Sequence, residues 1–268
     1  MVVFLKCFNM LSNGGMFMNI KWNAHGYTED FQFVHQYGED VLNLLEIKSG
    51  MNILDLGCGN GALTKKIADM GANVIGIDAS GEMLKVAKSN YPNLTFIQDD
   101  AVKFSLKEPM DVVFSNAVFH WIDNQEDLLQ NISNALKIKG YLVCEFGGAG
   151  CTETIHGAIQ KSFEKRGLNY KRTFYFPTIG QYAPIVERHG LKVLYAVLFD
   201  RKTRLNGEDG MKEWIKMFVK LPFEGLDEAL VDEIIDEAIQ KLKPILYENG
   251  VWYADYVRIR LKAQKVDK

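Results

Sequence analysis

The stretch ILDLGCGNGAL, residues 53–63, decides the fold class of this chain. An apolar run carrying Asp55 leads into glycines at positions 57, 59 and 61, and a helix-like segment begins directly after them. Glycine lets a backbone approach a ligand closely, and the first turn of a helix offers unpaired N–H groups to negative atoms of that ligand. The stretch therefore predicts a strand, a ligand-binding turn and a helix.

Short apolar runs alternate with helical patterns from this stretch onward. The predicted strands, none of which alternates like a half-exposed sheet, cover 51–56, 73–77, 94–98, 111–115 and 141–146. Helices are predicted between them, one capped by Ser80 and one by Asp123. Strand and helix in turn predict an α/β fold, with a Rossmann-like, doubly wound, mostly parallel sheet covered on both faces.

The pattern loosens after Gly150. Helices are predicted over 152–165, 179–189, 211–219 and 227–242, and strands over 191–199 and 252–261. The last two helices fall between the two late strands, which predicts a helical cap over the edge of the sheet. The predicted domains are an N-terminal extension (1–20), a cofactor-binding domain (21–200), the cap (201–250) and a final strand returning to the sheet (251–268).

Composition limits the classes of partner. The chain has 268 residues, 47% of them hydrophobic, and a net charge of -3, which gives no reason to expect nucleic acid or an anionic membrane as a partner. Four scattered cysteines without a CxxC pair argue against disulfides and structural zinc, and favour the cytoplasm. Neither a membrane span nor a metal site is predicted, and the sequence indicates no oligomeric state.

Two kinds of ligand fit the glycine turn. Gly57, Gly59 and Ala62 satisfy the loose G-x-G-x-x-A pattern of dinucleotide-binding folds, which would make the protein an NAD(P)-binding oxidoreductase. However, Asp55 lies two residues before the first glycine, where a dinucleotide fold continues its apolar strand, and Gly61 adds a third glycine at alternate spacing. These two features favour another ligand.

Four motifs in order resemble those of class I S-adenosylmethionine-dependent methyltransferases. After the glycine turn, VIGIDAS ends the second strand with Asp78, FIQDDAV ends the third with Asp100 and Ala101, and DVVFSNAVFHWI ends the fourth. The resemblance covers residues 22–148. Within the family, SNAVFHW and CEFGG are most similar to the small-molecule branch that contains trans-aconitate methyltransferase, and the Pro-Pro-aromatic signature of amino-methylating DNA enzymes is absent.

The resemblance implies a seven-stranded sheet with an antiparallel last strand, and S-adenosylmethionine as the cofactor, converted to S-adenosylhomocysteine. It implies that Asp78 holds the ribose, Asp100 the adenine, and Gly57, Gly59 and Asn116 the methionine part. An aromatic N-terminal segment is expected to close over the cofactor. The predicted cofactor-binding residues are Tyr27, His35, Asp55, Gly57, Cys58, Gly59, Asp78, Ala79, Met83, Asp100, Ala101 and Asn116.

The resemblance further implies direct displacement of the methyl group by a small organic acceptor, with O-methylation of a carboxylate as the expected reaction. His120, just beyond the fourth strand, is the candidate catalytic residue, and packing beside Trp121 is its alternative role. Trp121, Arg201 and Trp214 are the candidates for substrate binding, with the guanidinium of Arg201 expected to pair with a carboxylate. A non-catalytic cofactor-binding protein stays an alternative. The other histidines, predicted at the surface or at helix ends, are His25, His156 and His189.

Overall fold

The structure, a computed structural model, describes residues 40–267. The predictions for Tyr27, His35 and the extension 1–20 lie outside the described residues. Within 40–267, no helix combines the length and the apolar character that a membrane span requires. The same range contains no group of three His, Cys, Asp or Glu side chains that could hold a metal ion.

Seven strands of the described chain form one sheet in the order β3-β2-β1-β4-β5-β8-β6. Their bounds are β1 Asn52–Leu56, β2 Asn73–Asp78, β3 Thr95–Gln98, β4 Met110–Asn116, β5 Leu136–Gly147, β6 Leu191–Arg204 and β8 Val251–Lys265. Strands β1 to β5 run parallel, whereas β8 is antiparallel to both of its neighbours, β5 and β6. The predicted mostly parallel sheet with an antiparallel last strand is confirmed.

The two late strands are longer than predicted because they pair with each other along nearly their whole length. β6 continues to Arg204, so the first four residues of the predicted cap belong to the sheet. An additional strand, β7 (Tyr247–Glu248), pairs with the start of β8. The turn between them, Asn249-Gly250, has φ values of 51° and 80°, which suits a tight hairpin.

Helices cover both faces of the sheet, and the last two lie between the two late strands in the chain, where the cap is predicted. Their bounds are α1 Ala62–Asp69, α2 Gly81–Asn90, α3 Gln125–Ala135, α4 Glu153–Glu164, α5 Ile179–Arg188, α6 Gly210–Phe218 and α7 Glu228–Leu246. Ser80 caps α2 as predicted, because its side chain accepts the N–H of Met83 at 3.3 Å. The predicted cap of α3 at Asp123 is wrong, since the side chain of Asn124 accepts the N–H of Asp127 instead.

Neighbouring residues of a strand point to opposite faces of the sheet and pack against different helices. On β1, Leu54 packs in the cluster that includes α3 and α5, while Ile53 packs in the cluster that includes α1. A third cluster joins α4, α6 and α7 to one face of β8, including Tyr256. Full burial of an aliphatic side chain such as Ile53 or Leu54 contributes about 1.5–3 kcal/mol to stability. These layers hold the carboxyl ends of the strands in fixed positions.

Candidate active site

The carboxyl ends of β1, β2 and β4 line a cleft with about 880 Å³ of free space, its open mouth included. All the predicted cofactor residues of the described chain lie on its wall: Asp55, Gly57, Cys58, Gly59, Asp78, Ala79, Met83, Asp100, Ala101 and Asn116. Trp121, predicted for the acceptor, also lines the cleft. The residues that sequence reasoning missed are Leu56, Leu63, Ile77, Asp99, Ala117, Val118 and Ile122. Most of these are apolar and belong to the same strands and turns, so nothing in the sequence separates them from core residues.

The glycine turn is fastened to β2. The N–H groups of Gly57 and Cys58 both donate to the carbonyl oxygen of Ile77, at 2.7 and 3.0 Å. Gly57 has a φ of 78°, and a Cβ atom there would lie 2.2 Å from Cγ2 of Val118. Glycine is therefore required at position 57 both by the backbone conformation and by the space available.

Asp78 connects the glycine turn to helix α2. Its Oδ2 atom accepts the N–H of Gly59 at 2.8 Å, and its Oδ1 atom accepts the N–H of Ser80 at 2.8 Å. Burial raises the pKa of this carboxyl group, and the two backbone hydrogen bonds oppose that shift. Each oxygen keeps a second lone pair, so the carboxylate can accept hydroxyl groups of a ligand while it holds the turn.

Asp55 lies buried on β1 under the glycine turn, where its Oδ2 atom accepts the hydroxyl of Thr64 at 2.6 Å. Burial raises the pKa of Asp55 to about 7, against the effect of the Thr64 hydrogen bond, and the charge of Asp78 adds to the rise. Because this pKa is higher in the folded chain than its ordinary value of 3.8, the carboxyl group stabilises the free fold least above pH 7. Asp55 is thus partly protonated near neutrality.

The charges of the cleft match a cationic ligand. Its described wall carries four carboxylic acids, at positions 55, 78, 99 and 100, and no lysine or arginine. S-adenosylmethionine bears a sulfonium and an ammonium group and has no phosphate. A nicotinamide dinucleotide would instead bring a negatively charged pyrophosphate against these acids. The acids and the backbone approach at Gly57 therefore fit S-adenosylmethionine better than NAD(P).

The affinity for S-adenosylmethionine is expected to rise with pH up to about 7, by roughly tenfold per pH unit at the steepest point, because a cation favours ionised Asp55. Calorimetric titration in buffers of different ionisation enthalpy should show a proton released on binding at pH 6 and none at pH 8. Asp55→Asn should abolish that release, whereas Asp69→Asn, an exposed residue of α1, should not. Equal proton release in both variants would contradict the role of Asp55.

A second cavity, here named the side chamber, adjoins the cleft and has about 450 Å³ of free space, its open mouth included. It is lined by Ala117, His120, Trp121, Cys151, Thr152, Phe174, Phe176, Trp214, Phe218, Tyr256 and Arg258. Ala117 and Trp121 line both cavities, so the side chamber borders the cleft next to Asn116. Ala117 and Thr152 have positive φ values, 60° and 53°, and such backbone conformations are concentrated at functional sites.

Arg258 is the charged residue of the described chamber wall, and sequence reasoning missed it. The residue is 8% exposed, and its Cζ atom lies 4.4 Å from the centroid of the Tyr256 ring. No carboxylate of residues 40–267 forms an ion pair with it. The alternating pattern of β8 could have indicated Arg258. Trp252, Tyr256 and Arg258 are separated by even numbers of residues, and all three are buried on the same face of the strand.

His120 lines the side chamber from a short 3-10 helix, Phe119–Trp121. Its Nδ1 atom accepts the N–H of Gly147 at 3.3 Å, a contact that requires Nδ1 to be unprotonated. Burial, and next the charge of Arg258, hold the pKa of His120 well below its usual range. The ring is therefore neutral at pH 7, and we assign its proton to Nε2.

Trp214, predicted for the acceptor, also lines the side chamber. Its Nε1–H group donates to the hydroxyl oxygen of Tyr256 at 2.6 Å. This bond joins cap helix α6 to strand β8 and brings a polar hydroxyl to the chamber wall. The structure thus brings together three of the four acceptor candidates, namely His120, Trp121 and Trp214.

Arg201, the fourth candidate, lines neither cavity. Its guanidinium pairs with both carboxylate oxygens of Glu145, and Arg260 binds the same carboxylate at 2.7 Å. The expectation that Arg201 faces the acceptor is therefore corrected: its side chain is used to neutralise a buried glutamate. His156 is also corrected, because it is buried against Tyr170 and not exposed, whereas His189 ends α5 as predicted.

Residues 47–190, just over half of the chain, match the model of a family described as a methyltransferase domain. The chain belongs to the class I S-adenosylmethionine-dependent methyltransferases. The matched residues include the glycine turn, Asp78, Asp100 and Asn116. This methyltransferase therefore uses S-adenosylmethionine as its cofactor, and the oxidoreductase alternative is set aside.

Relatives extend the similarity over most of the methyltransferase. It is 28% identical to an uncharacterised methyltransferase of Schizosaccharomyces pombe over 91% of this chain and 98% of that protein. It is 24% identical to a trans-aconitate 2-methyltransferase of Rhizobium etli over 86% of this chain and 94% of that protein. The crystal structure of a Bacillus halodurans methyltransferase superposes with a TM-score of 0.62 at 18% identity, covering 87% of this chain and all of that one. At that identity the superposition shows the shared fold.

Proposed function

We propose that this methyltransferase transfers the methyl group of S-adenosylmethionine to a carboxylate oxygen of a small organic acid. The observation that carries the proposal is Arg258, a buried arginine in the side chamber with no carboxylate partner within residues 40–267. A buried guanidinium is costly without an anion, and a carboxylate is the anion that matches its planar fork. The similarity to a trans-aconitate 2-methyltransferase supports an organic acid as acceptor.

When bound, S-adenosylmethionine supplies an electrophilic methyl group on a sulfonium centre. The acceptor's carboxylate oxygen uses its own lone pair to form the C–O bond, the C–S bond breaks with its electron pair kept by sulfur, and no proton is released. A carboxylic acid with a pKa of about 4 is already ionised at neutral pH. The protein therefore needs to supply no general base.

The residues of the two cavities contribute mainly by alignment. Arg258 would hold one end of the carboxylate, and the Nε2–H group of His120 is a candidate donor to the acceptor. Ala117 and Trp121 line both the cleft and the side chamber, so the acceptor would meet the methyl group beside these two residues. Positioning of this kind can supply several kcal/mol of barrier reduction without covalent help from the protein.

Arg258→Met is expected to raise the KM for the acid roughly tenfold or more, because it removes a charge-assisted hydrogen-bond donor but keeps an unbranched side chain of similar length. The affinity for S-adenosylhomocysteine should stay within about twofold, since Arg258 does not line the cleft. A coupled assay of homocysteine formation with a pool of small carboxylates measures the first quantity, and calorimetric titration measures the second.

Arg204→Met, an exposed arginine at the end of β6, is the matched control and should leave both values unchanged. Turnover of phenols or amines with full activity in Arg258→Met would overturn the carboxylate proposal. Absence of turnover with every pool would leave the chain a cofactor-binding protein without this activity.

His120→Gln is expected to leave kcat independent of pH from about 6 to 8, as in the unaltered protein, because a carboxylate acceptor sheds no proton. The measurement uses saturating S-adenosylmethionine, so that the effect of Asp55 ionisation on cofactor affinity does not enter the pH profile of kcat. Because the pKa of His120 is held well below its usual range, the profile is also measured at lower pH; loss of an acidic limb there on replacing His120 would show that the residue acts as a base, and would contradict carboxylate methylation. We further propose the cytoplasm as the location, supported by three free buried cysteines at positions 58, 144 and 151.

A further inference from the structure

The walls of the side chamber are mainly aromatic. Phe174 and Phe176 lie stacked, with ring centroids 5.2 Å apart and an interplanar angle of 9°. Trp121 meets Phe174 edge-on at 4.7 Å, and His120 lies 5.8 Å from Phe176. Across the chamber wall, Trp214 packs with Phe218 at 5.3 Å and with Tyr256 at 6.2 Å. Rings in these arrangements present both faces and edges to an occupant.

A glycine at the end of strand β5 leaves the space that this aromatic wall occupies. A Cβ atom at Gly147, on β5, would lie 2.3 Å from Cε1 of Phe176. Gly147 is also the register partner of Arg258 on β8, and its N–H group binds His120. The glycine therefore allows Phe176, Arg258 and His120 to meet around one point.

Polar groups on the described wall are few. They are Thr152, the thiol of Cys151, the Tyr256 hydroxyl, the indole N–H groups of Trp121 and Trp214, the His120 ring and Arg258. The Thr152 hydroxyl donates to the carbonyl oxygen of Cys151, and the Tyr256 hydroxyl accepts from Trp214. Burial raises the pKa of the Cys151 thiol and of Tyr256, which keeps both groups neutral. Among the described residues of the chamber wall, Arg258 alone thus carries a formal positive charge.

We propose that the acceptor is a monocarboxylate with a flat, unsaturated body, held by Arg258 at its carboxylate and by the aromatic wall at its body. This inference rests on the proposed carboxylate methylation and narrows it. Aromatic rings favour flat partners through edge and face contacts beyond the area that they bury. A second or third carboxylate would find no second cationic side chain on the described chamber wall, which is unfavourable for a buried charge. The chamber should therefore discriminate against tricarboxylates such as trans-aconitate.

The test is equilibrium binding of four acids to the full chain saturated with S-adenosylhomocysteine at pH 8, followed by turnover with S-adenosylmethionine. The acids are benzoate, cinnamate, cyclohexanecarboxylate and trans-aconitate. Benzoate or cinnamate is expected to bind at least a hundredfold more tightly than trans-aconitate. Benzoate should bind about threefold to tenfold more tightly than cyclohexanecarboxylate, although the saturated ring has the larger apolar surface.

Phe174→Leu should reduce the preference for benzoate over cyclohexanecarboxylate to less than twofold, because it removes one ring face from the wall. Phe223→Leu is the matched control, since Phe223 contacts Phe163 of α4 and does not line the chamber. The control should keep the preference of the unaltered protein. An unchanged preference in Phe174→Leu would contradict the role of the aromatic wall.

The outcomes separate the two proposals. Binding or methylation of trans-aconitate as strong as that of the flat monocarboxylates would overturn the present inference and leave carboxylate methylation standing. Tight binding of a flat monocarboxylate without formation of its methyl ester would overturn the proposed function and leave the recognition of that acid standing. Failure of all four acids to bind would overturn both.

Discussion

Gly57→Ala is expected to weaken the binding of S-adenosylmethionine at least a hundredfold, or about 2.7 kcal/mol. Gly57 has a φ of 78°, and an added Cβ would come within 2.2 Å of Cγ2 and 2.8 Å of Cγ1 of Val118. Val118 itself lines the cleft, so the turn and the wall must move apart at the place where the cofactor binds. Calorimetric titration of the folded variant measures the loss.

Two further variants identify the cause of that loss. Gly57→Ala combined with Val118→Ala removes both Cγ atoms that the new methyl would meet, and should recover at least part of the affinity. Gly59→Ala should be milder, because its Cβ would meet Met83 Cε at 3.3 Å, the far end of a flexible side chain. A double variant that binds no better than Gly57→Ala would mean that backbone strain alone accounts for the effect.

Asp78→Ala is expected to weaken cofactor binding by about 2 to 4 kcal/mol, or roughly 30- to 1000-fold, by removing the two charge-assisted hydrogen bonds that we propose it makes to the ribose. The structure adds a second effect. The N–H groups of Gly59 and Ser80 both donate to this carboxylate, so the variant also leaves two donors without their acceptor. The melting temperature of the free protein should therefore fall together with the affinity.

Asp78→Asn separates these two effects. Its amide oxygen can still accept one backbone N–H group, so the fold should be less destabilised than in Asp78→Ala, while the charge is lost in both. Titration with S-adenosylhomocysteine and thermal unfolding without ligand give the two quantities. An affinity unchanged from the unaltered protein in a folded Asp78→Ala variant would refute the ribose assignment.

The cofactor side of the site could be predicted from the sequence because its residues follow directly from local patterns. Asp55, Asp78 and Asn116 lie in or at the ends of β1, β2 and β4, which are neighbouring parallel strands, and the carboxyl ends of such strands meet at one edge of the sheet. The spacing of glycines located the turn, although it did not show that Gly57 is more tightly enclosed than Gly59. That difference depends on Val118, which lies about sixty residues away in sequence.

The acceptor side could be predicted only in part because distant strands assemble it. Arg201 was expected at the end of a short β6, but β6 continues past it, and Glu145 of β5 takes its guanidinium. Arg258 faces the chamber because β8 returns between β5 and β6, opposite Gly147. Both placements depend on the register of antiparallel pairing, which no local pattern determines.

Arg258, which forms no ion pair with a carboxylate of residues 40–267, also bears on how the reaction ends. Under the proposed reaction, the acid enters with one negative charge and leaves as a neutral methyl ester. The ester can no longer form the ion pair that held its parent acid, so its residence time should shorten at the moment the bond forms. Methylation thus removes the negative charge that holds the acceptor, and the neutral ester dissociates more readily. Product inhibition by the ester should therefore be weaker than competition by an unreactive acid of the same shape.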